Sequence, residues 1–224
     1  MKKCANALII LIAALISSCA GIQKRNEAGS IYGMVYDHEN KPVQNVEISI
    51  GGKAVSASNI NGRFTIKGLG FGTYEISFTK EGYETFSTVF EYSDATQLVY
   101  VKMISGSQLL AEAEKEMNER RWSTAEALNK RAEAGKPGDA PTMFLKAALK
   151  YRTGSAEEAK AILESLIAQE YNEPSIYLFL ADIFQFKLED KANAISNLKA
   201  FLQLRYDPEV EKRLKELEAE PAGE

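Results

Sequence analysis

The sequence predicts an all-β domain followed by an all-α domain: a small antiparallel β-sandwich, then a stack of α-helical hairpins. Three observations predict it. Between residues 30 and 104, β-branched and aromatic residues alternate with polar ones, and eight of the 15 glycines fall there between the alternating runs. From residue 106 on, Ala, Leu, Glu and Lys recur at helical spacing. Within that second half, alanines repeat at intervals of 34 residues. The 224 residues, 45% hydrophobic and 26% charged, suit a globular chain of one large or two small domains.

Composition also excludes chemistry. The formal charge is −4, from 27 basic and 31 acidic residues, which gives no basic footprint for duplex nucleic acid. There is one histidine, His38, and two cysteines, Cys4 and Cys19. A Cys/His zinc site lacks ligands, and a catalytic triad could draw on His38 alone. No enzyme, no metal and no cofactor is expected.

The first 18 residues read as an address. Lys2 and Lys3 form a positive head, and Ala7–Ile16 is an uninterrupted apolar run of ten. A membrane-spanning helix needs about 20 such residues, so the run reads as a signal-peptide core. It closes on Leu15-Ile16-Ser17-Ser18-Cys19. That ending resembles the bacterial lipoprotein signal motif: an aliphatic residue, two small residues, then cysteine. The resemblance implies cleavage before Cys19, a diacylglyceryl thioether on its sulfur, and a palmitate-type acyl chain on the new amino terminus. Each buried methylene contributes about 0.8 kcal/mol, so two or three chains hold far more firmly than one. From Cys19 on, no second cysteine remains, so neither disulfides nor thiol chemistry are expected, and the formal charge is −6. Ala20 follows where Asp would favour inner-membrane retention; the resemblance to Gram-negative sorting points to the outer rather than the inner membrane. Residues 19–29 are polar without a period and read as a tether.

Strands come next. Val46, Ile48 and Ile50 alternate with polar neighbours, as do Phe64 and Ile66, then Tyr74, Ile76 and Phe78, then Phe86, Thr88, Phe90 and Tyr92; residues 98–103 add a last β-rich run. Turns are marked by Glu39-Asn40-Lys41-Pro42, Gly51-Gly52, Asn61-Gly62, Gly68 to Gly72 and Glu81-Gly82. Asn61-Gly62 is a strong tight-turn signal. About six or seven short strands so punctuated predict a small antiparallel sandwich. Gly68, Gly70 and Gly72 imitate a nucleotide loop, but Tyr74 to Phe78 continues as strand rather than helix, which excludes one.

An ordered set of residues runs through this region: Gly33 to Asp37, Lys41-Pro42-Val43-Gln44-Asn45-Val46, Asn61-Gly62-Arg63-Phe64, Leu69, Gly72-Thr73-Tyr74 and Gly82-Tyr83. It resembles the carboxypeptidase regulatory-like domain, a transthyretin-like β-sandwich, over residues 30–104. Asn40 stands where that family usually has glycine, and Ser58-Asn59 where it has Thr-Asp. The resemblance implies a spacer or accessory module of exported proteins, without a catalytic zinc domain. His38 reads as an exposed turn residue. Tyr32, Tyr36, Tyr74, Tyr83, Phe86, Phe90, Tyr92 and Tyr100 are candidates for a carbohydrate platform, or for core and cross-strand pairs.

Six helices follow on six apolar stripes: Leu109, Leu110, Ala113 and Met117; Ala125, Leu128 and Ala132; Phe144, Ala147, Ala148 and Tyr151; Ile162, Leu163, Leu166 and Ile167; Tyr177, Leu180, Ala181 and Phe184; Ile195, Leu198, Phe201 and Leu202. Gly135 to Pro141, Thr153 to Ser155, Asn172 to Pro174 and Glu189-Asp190 separate them. Asp207-Pro208 opens a seventh helix with Val210, Leu214 and Leu217 on one face, which reads as a polar cap for the stack. Residues 221–224 form a tail.

Ala113, Ala147 and Ala181 are 34 residues apart, and Ala125, Ala159 and Ala194 are 34 and 35 apart. With Trp122 and Gly154, this spacing resembles the tetratricopeptide repeat, over residues 105–220. Glu112 and Lys146 depart from its usual leucine, and the third unit carries one extra residue in its turn. The resemblance implies a groove lined by the first helix of each hairpin, and its register places Leu110, Glu114, Met117, Phe144, Ala148, Tyr151, Leu178, Asp182 and Gln185 towards a partner. The expected function is a lipid-anchored envelope scaffold that binds protein through its repeats, the sandwich serving as spacer or docking module. The alternative is a surface lipoprotein that binds carbohydrate or a small ligand on the aromatic face of the sandwich.

Overall fold

The computed structural model describes residues 29–219. The expected signal peptide, the expected lipidation site Cys19, the expected tether before Gly29 and the expected tail all lie outside the described residues. Seven strands precede seven helices: β1 (Gly29–Asp37), β2 (Glu47–Ile50), β3 (Lys53–Ala57), β4 (Arg63–Leu69), β5 (Gly72–Thr79), β6 (Phe86–Tyr92), β7 (Leu98–Met103), α1 (Gly106–Asn118), α2 (Trp122–Gly135), α3 (Ala140–Arg152), α4 (Ala156–Ala168), α5 (Pro174–Phe186), α6 (Lys191–Leu204) and α7 (Pro208–Ala219).

The strands form two sheets, ordered β4-β1-β7 and β3-β2-β5-β6. Alternation fills the space between them. Ile31 and Val35, Ile48, Phe64 and Ile66, Ile76 and Phe78, and Val99, Val101 and Met103 are all buried in one cluster. Tyr92 joins them at 1% exposure. The sandwich is thus the predicted one, with two local differences. Strands β1 and β7 pair in parallel, Tyr32 opposite Leu98 through Asp37 opposite Met103. A period of two is the same in parallel and antiparallel strands, so alternation cannot report direction. Asn61-Gly62 is not a two-residue hairpin either, because β3 and β4 belong to different sheets. The Asn59 carboxamide oxygen accepts from the Asn61 and Arg63 amides, Gly62 N–H donates to Asn59 O, and only Gly62 adopts positive φ, at 71°.

Helices α1/α2, α3/α4 and α5/α6 pack as hairpins, and α7 packs on α6. The repeating alanines explain how closely they pack. Ala113, Ala125, Ala147, Ala159, Ala181 and Ala194 are all at 0% exposure, where a larger side chain would push the helices apart. Ser105 begins α1 with a full capping box to Gln108, and Asp190 and Asp207 accept from the first amides of α6 and α7. The turn of the third hairpin holds residues 187–190, against 119–121 and 153–155 in the others, which accounts for its extra residue.

Sandwich and stack meet at a hydrogen-bonded joint. The Gly82 amide donates to Gly135 O at 3.0 Å, Gly106 donates to Gly82 O at 2.7 Å, and Glu84 donates to Ile104 O at 3.0 Å. Arg131 on α2 grips Glu84 with two bonds of 2.8 Å. Residues 104 and 105 therefore make a fixed corner rather than a free linker.

Candidate functional site

Helices α1, α3, α5 and α7 follow one another along one side of the stack. α1 packs on α3, Phe144 and Tyr151 of α3 meet Phe179 of α5, and Arg213 of α7 meets Asp182 of α5. The predicted contact residues sit at three equivalent places on the first three helices: Leu110, Glu114 and Met117; Phe144, Ala148 and Tyr151; Leu178, Asp182 and Gln185. Offsets of four and three residues keep each set on one helix face.

These nine residues are not alike. Glu114 is exposed, and the others are half-buried. Leu110 and Met117 lean on the cluster of Leu109, Ala113, Leu128, Ala132 and Leu145. Phe144, Tyr151 and Leu178 lean on the larger cluster that runs from α3 to α7. Together with Ala148 they leave a half-open apolar stripe across three helices. Phe179 supports its middle and was missed by sequence reasoning. Its ring stands edge-on to Phe144 at 5.7 Å and to Tyr151 at 5.3 Å. The 34-residue spacing aligns Phe179 with buried Leu145, so periodicity assigns it to the core between repeats. The Lys187 ammonium lies 5.4 Å from the Tyr151 ring centre, which adds a cation beside the stripe.

Asp182 and Gln185 behave differently. Arg213 donates Nη1 to Asp182 Oδ1 at 2.7 Å, and Nε and Nη2 to Gln185 Oε1 at 2.9 and 2.6 Å. The same guanidinium lies 5.2 Å from the ring centre of Phe186. The cap helix thus closes the third-repeat end of the face, and the open part runs from Leu110 to Leu178. Arg213 is adjacent to Leu214 on the apolar side of α7, but nothing in a lone arginine announces a partner 31 residues upstream.

At the other end the stripe runs into a hollow of about 460 Å³ at the domain joint, lined by Leu110, Gln108 and Pro141 from the stack and by Asp37, Lys41 and Tyr83 from the sandwich. The Asp37 carboxylate is occupied by the Glu39 and Lys41 amides, at 2.8 and 2.9 Å, and His38, next to Asp37, is exposed. At the joint itself, hydrogen bonding from Arg131 holds the Glu84 carboxyl below its ordinary value of 4.5. A lowered native value contributes stability that is complete above the unfolded value and is lost as pH falls through the native one. Glu84→Gln should therefore remove a small acid-side loss of stability that starts below about pH 4.5. Thermal midpoints of the two proteins measured across that range check this, and parallel curves would contradict it.

The aromatic residues of the sandwich divide. Tyr92 is core, and Tyr74, Tyr83 and Phe90 pack against it. Phe86 is on the four-stranded sheet. Tyr32, Tyr36 and Tyr100 remain on the outer side of β4-β1-β7, where Tyr32, Tyr100, Leu98 and Arg63 help to line a hollow of about 630 Å³. Among the described residues, no group of three or more His, Cys, Asp or Glu could hold a metal ion. No described helix is long and apolar enough to cross a membrane.

Residues 30–102, which span the sandwich, match the family model of the carboxypeptidase regulatory-like domain. Comparison with curated proteins gives no match. Among solved structures, a cohesin–X-dockerin complex from Acetivibrio cellulolyticus aligns at 20% identity and a TM-score of 0.30, over 35% of this chain and 58% of its own. This chain thus spans less than two thirds of that structure. The first TPR domain of human RPAP3 aligns at 14% identity and a TM-score of 0.46, over 50% of this chain and 89% of its own. The type III secretion chaperone SycD of Yersinia enterocolitica, solved with a peptide of the translocator YopD, aligns at 16% identity and a TM-score of 0.43, over 50% and 87%. The tetratricopeptide-like character of residues 105–219 rests on the hairpin pairing and alanine spacing of this chain itself.

Proposed function

We propose that this protein is a lipid-anchored, non-catalytic scaffold of the bacterial envelope, which holds an extended segment of a protein partner across the face made by α1, α3 and α5. The observation that carries the binding role is the stripe of Leu110, Met117, Phe144, Ala148, Tyr151 and Leu178. It is half-open and apolar on each of three successive helices, resting on two buried clusters, and Arg213 closes it at one end. Helix axes lie about 8–10 Å apart. The stripe therefore spans roughly 20 Å, the length of about six extended residues. That is a short groove, suited to a peptide-like ligand with apolar anchors. Glu114 and the Lys187 ammonium beside Tyr151 would set its direction. The sandwich, bonded to the stack through Gly82, Glu84 and Arg131, acts as a rigid spacer between anchor and groove.

The anchor is supported by the short apolar run and by Ile16-Ser17-Ser18-Cys19. A Gram-negative outer membrane fits Ala20 after the cysteine. Two measurements test the parts separately. Mass spectrometry of the amino-terminal peptide, from protein isolated out of membranes, should show Cys19 as the first residue, with a diacylglyceryl thioether and an N-acyl chain; an unmodified thiol would contradict the anchor. Met117→Glu and Tyr151→Glu, at half-exposed positions, should each weaken capture of the partner about tenfold, equivalent to about 1.4 kcal/mol. Unchanged capture by both would contradict the groove.

A further inference from the structure

We propose that the outer face of the sheet β4-β1-β7 is a docking surface for the anionic phospholipid headgroups of the membrane that carries the anchor. The inference rests on the lipid-anchor reading and deepens it. Strand register assembles the face. Tyr32 lies opposite Leu98, and Met34 opposite Tyr100, on the parallel pair, while Met34 lies opposite Arg63 and Tyr32 opposite Thr65 on the antiparallel one. Their inward neighbours Ile31, Val35, Phe64, Ile66, Val99 and Val101 fill the core, so the pleat aims the others outward. Tyr32, Leu98 and Tyr100 remain 51%, 54% and 64% exposed. That is a contiguous aromatic and aliphatic patch across the central strand β1 and the edge strand β7, where polar residues would satisfy solubility.

Charge chooses the occupant. Arg63 and Lys67 on β4, and Lys102 on β7, are exposed at the rim of this patch. The twelve residues that line its hollow include Arg63 and Lys67 and no Asp or Glu. None of the three cations is ion-paired with another described residue, although Lys and Arg elsewhere in the chain commonly are. On a chain of net charge −4, an all-cationic rim is a departure that fits an anionic surface. Tyrosines bridging water and hydrocarbon, flanked by Lys and Arg, are the composition of a membrane interface.

Chain length makes the contact reachable. Cys19 is ten residues before Gly29, and a fully extended chain covers at most about 3.6 Å per residue, or roughly 35 Å. Tyr32 is only three residues into β1, and Leu98 is directly beside it, so the anchored end of the sheet arrives first. A weak surface contact gains from such tethering, because the anchor keeps the face at high effective concentration near the bilayer.

The test couples the chain from Cys19 onward, through that single thiol, to a maleimide lipid in vesicles of roughly three parts phosphatidylethanolamine to one of phosphatidylglycerol. Hydroxyl-radical oxidation is then read by mass spectrometry. Tyr32 and Tyr100 should be oxidised about threefold or more slowly than in the free chain, while Tyr206, 73% exposed on the helical half, should be unchanged. The double variant Arg63→Glu, Lys67→Glu, or vesicles of phosphatidylcholine alone, should restore much of the reactivity. Free-chain reactivity of both tyrosines on the anionic vesicle would overturn the proposal. In that case, protection by a soluble oligosaccharide, or by a raised concentration of the chain, would assign the face to a sugar or to a second copy. The coupling is chemical, so this outcome is independent of native acylation, which the mass of the native amino-terminal peptide decides alone.

Discussion

Leucine in place of Ala147 should destabilise the helical stack by about 1–3 kcal/mol, while leucine at the adjacent Ala148 should change little. Ala147 is at 0% exposure on α3, in the same buried cluster as Ala159 of α4 and Ala181 of α5. It belongs to the middle hairpin, which packs against α2 on one side and α5 on the other. A larger side chain there must separate helices whose spacing is set by six fully buried alanines. In a stack of repeats, damage to a middle unit weakens both of its interfaces. Ala148 is half-buried on the open face, where added methylenes meet little protein. Urea unfolding followed by helical circular dichroism measures both variants. Equal effects at the two positions would contradict the alanine-set spacing.

The second expected result turns on a sign. In an isolated helix, Gly→Ala stabilises by up to about 1 kcal/mol. At Gly135, the last residue of α2, the same change should destabilise by about 1–2 kcal/mol, because something must shift. A β-carbon there would lie 2.9 Å from the carbonyl oxygen and 3.2 Å from the carbonyl carbon of Tyr83, both backbone atoms that cannot swing aside. Moving them disturbs the bonds from Gly82 to Gly135 and from Gly106 to Gly82, each contributing about 1 kcal/mol net. Hydrogen exchange at the Gly82, Glu84 and Gly106 amides should accelerate together, with the core of each domain unaffected. A stabilised protein with slow exchange at all three would show that sandwich and stack are not fixed to one another at this corner.

Much of this architecture was legible because local patterns carry it. Alternation located five of the seven strands, β2 and β4 to β7, and 3.6-residue stripes located the seven helices, since burial on one face is enough to impose either period; β3, mostly exposed, carries no such alternation. The buried alanines also set the register of the open stripe: Glu114, Ala148 and Asp182 each follow one of them directly. What stayed hidden depends on residues far apart in sequence. The parallel pairing of β1 with β7 leaves no local trace. Phe179 looked like core because its repeat partner Leu145 is core. Arg213 was not singled out, yet its guanidinium occupies Asp182 and Gln185, two of the nine predicted contact residues. The role of Gly135 became visible only when the Tyr83 backbone came to lie against it.

Photocrosslinking in intact cells tests most directly whether this protein works by holding a partner along its first-helix face. A photoreactive residue at Tyr151, in the middle of the stripe, should give one discrete adduct with a single protein, weakened by Met117→Glu in the same chain. The same residue at exposed Lys130 on α2 should give none. Absence of a specific adduct from Met117, Tyr151 and Leu178 alike, or equal labelling from Lys130, would contradict it.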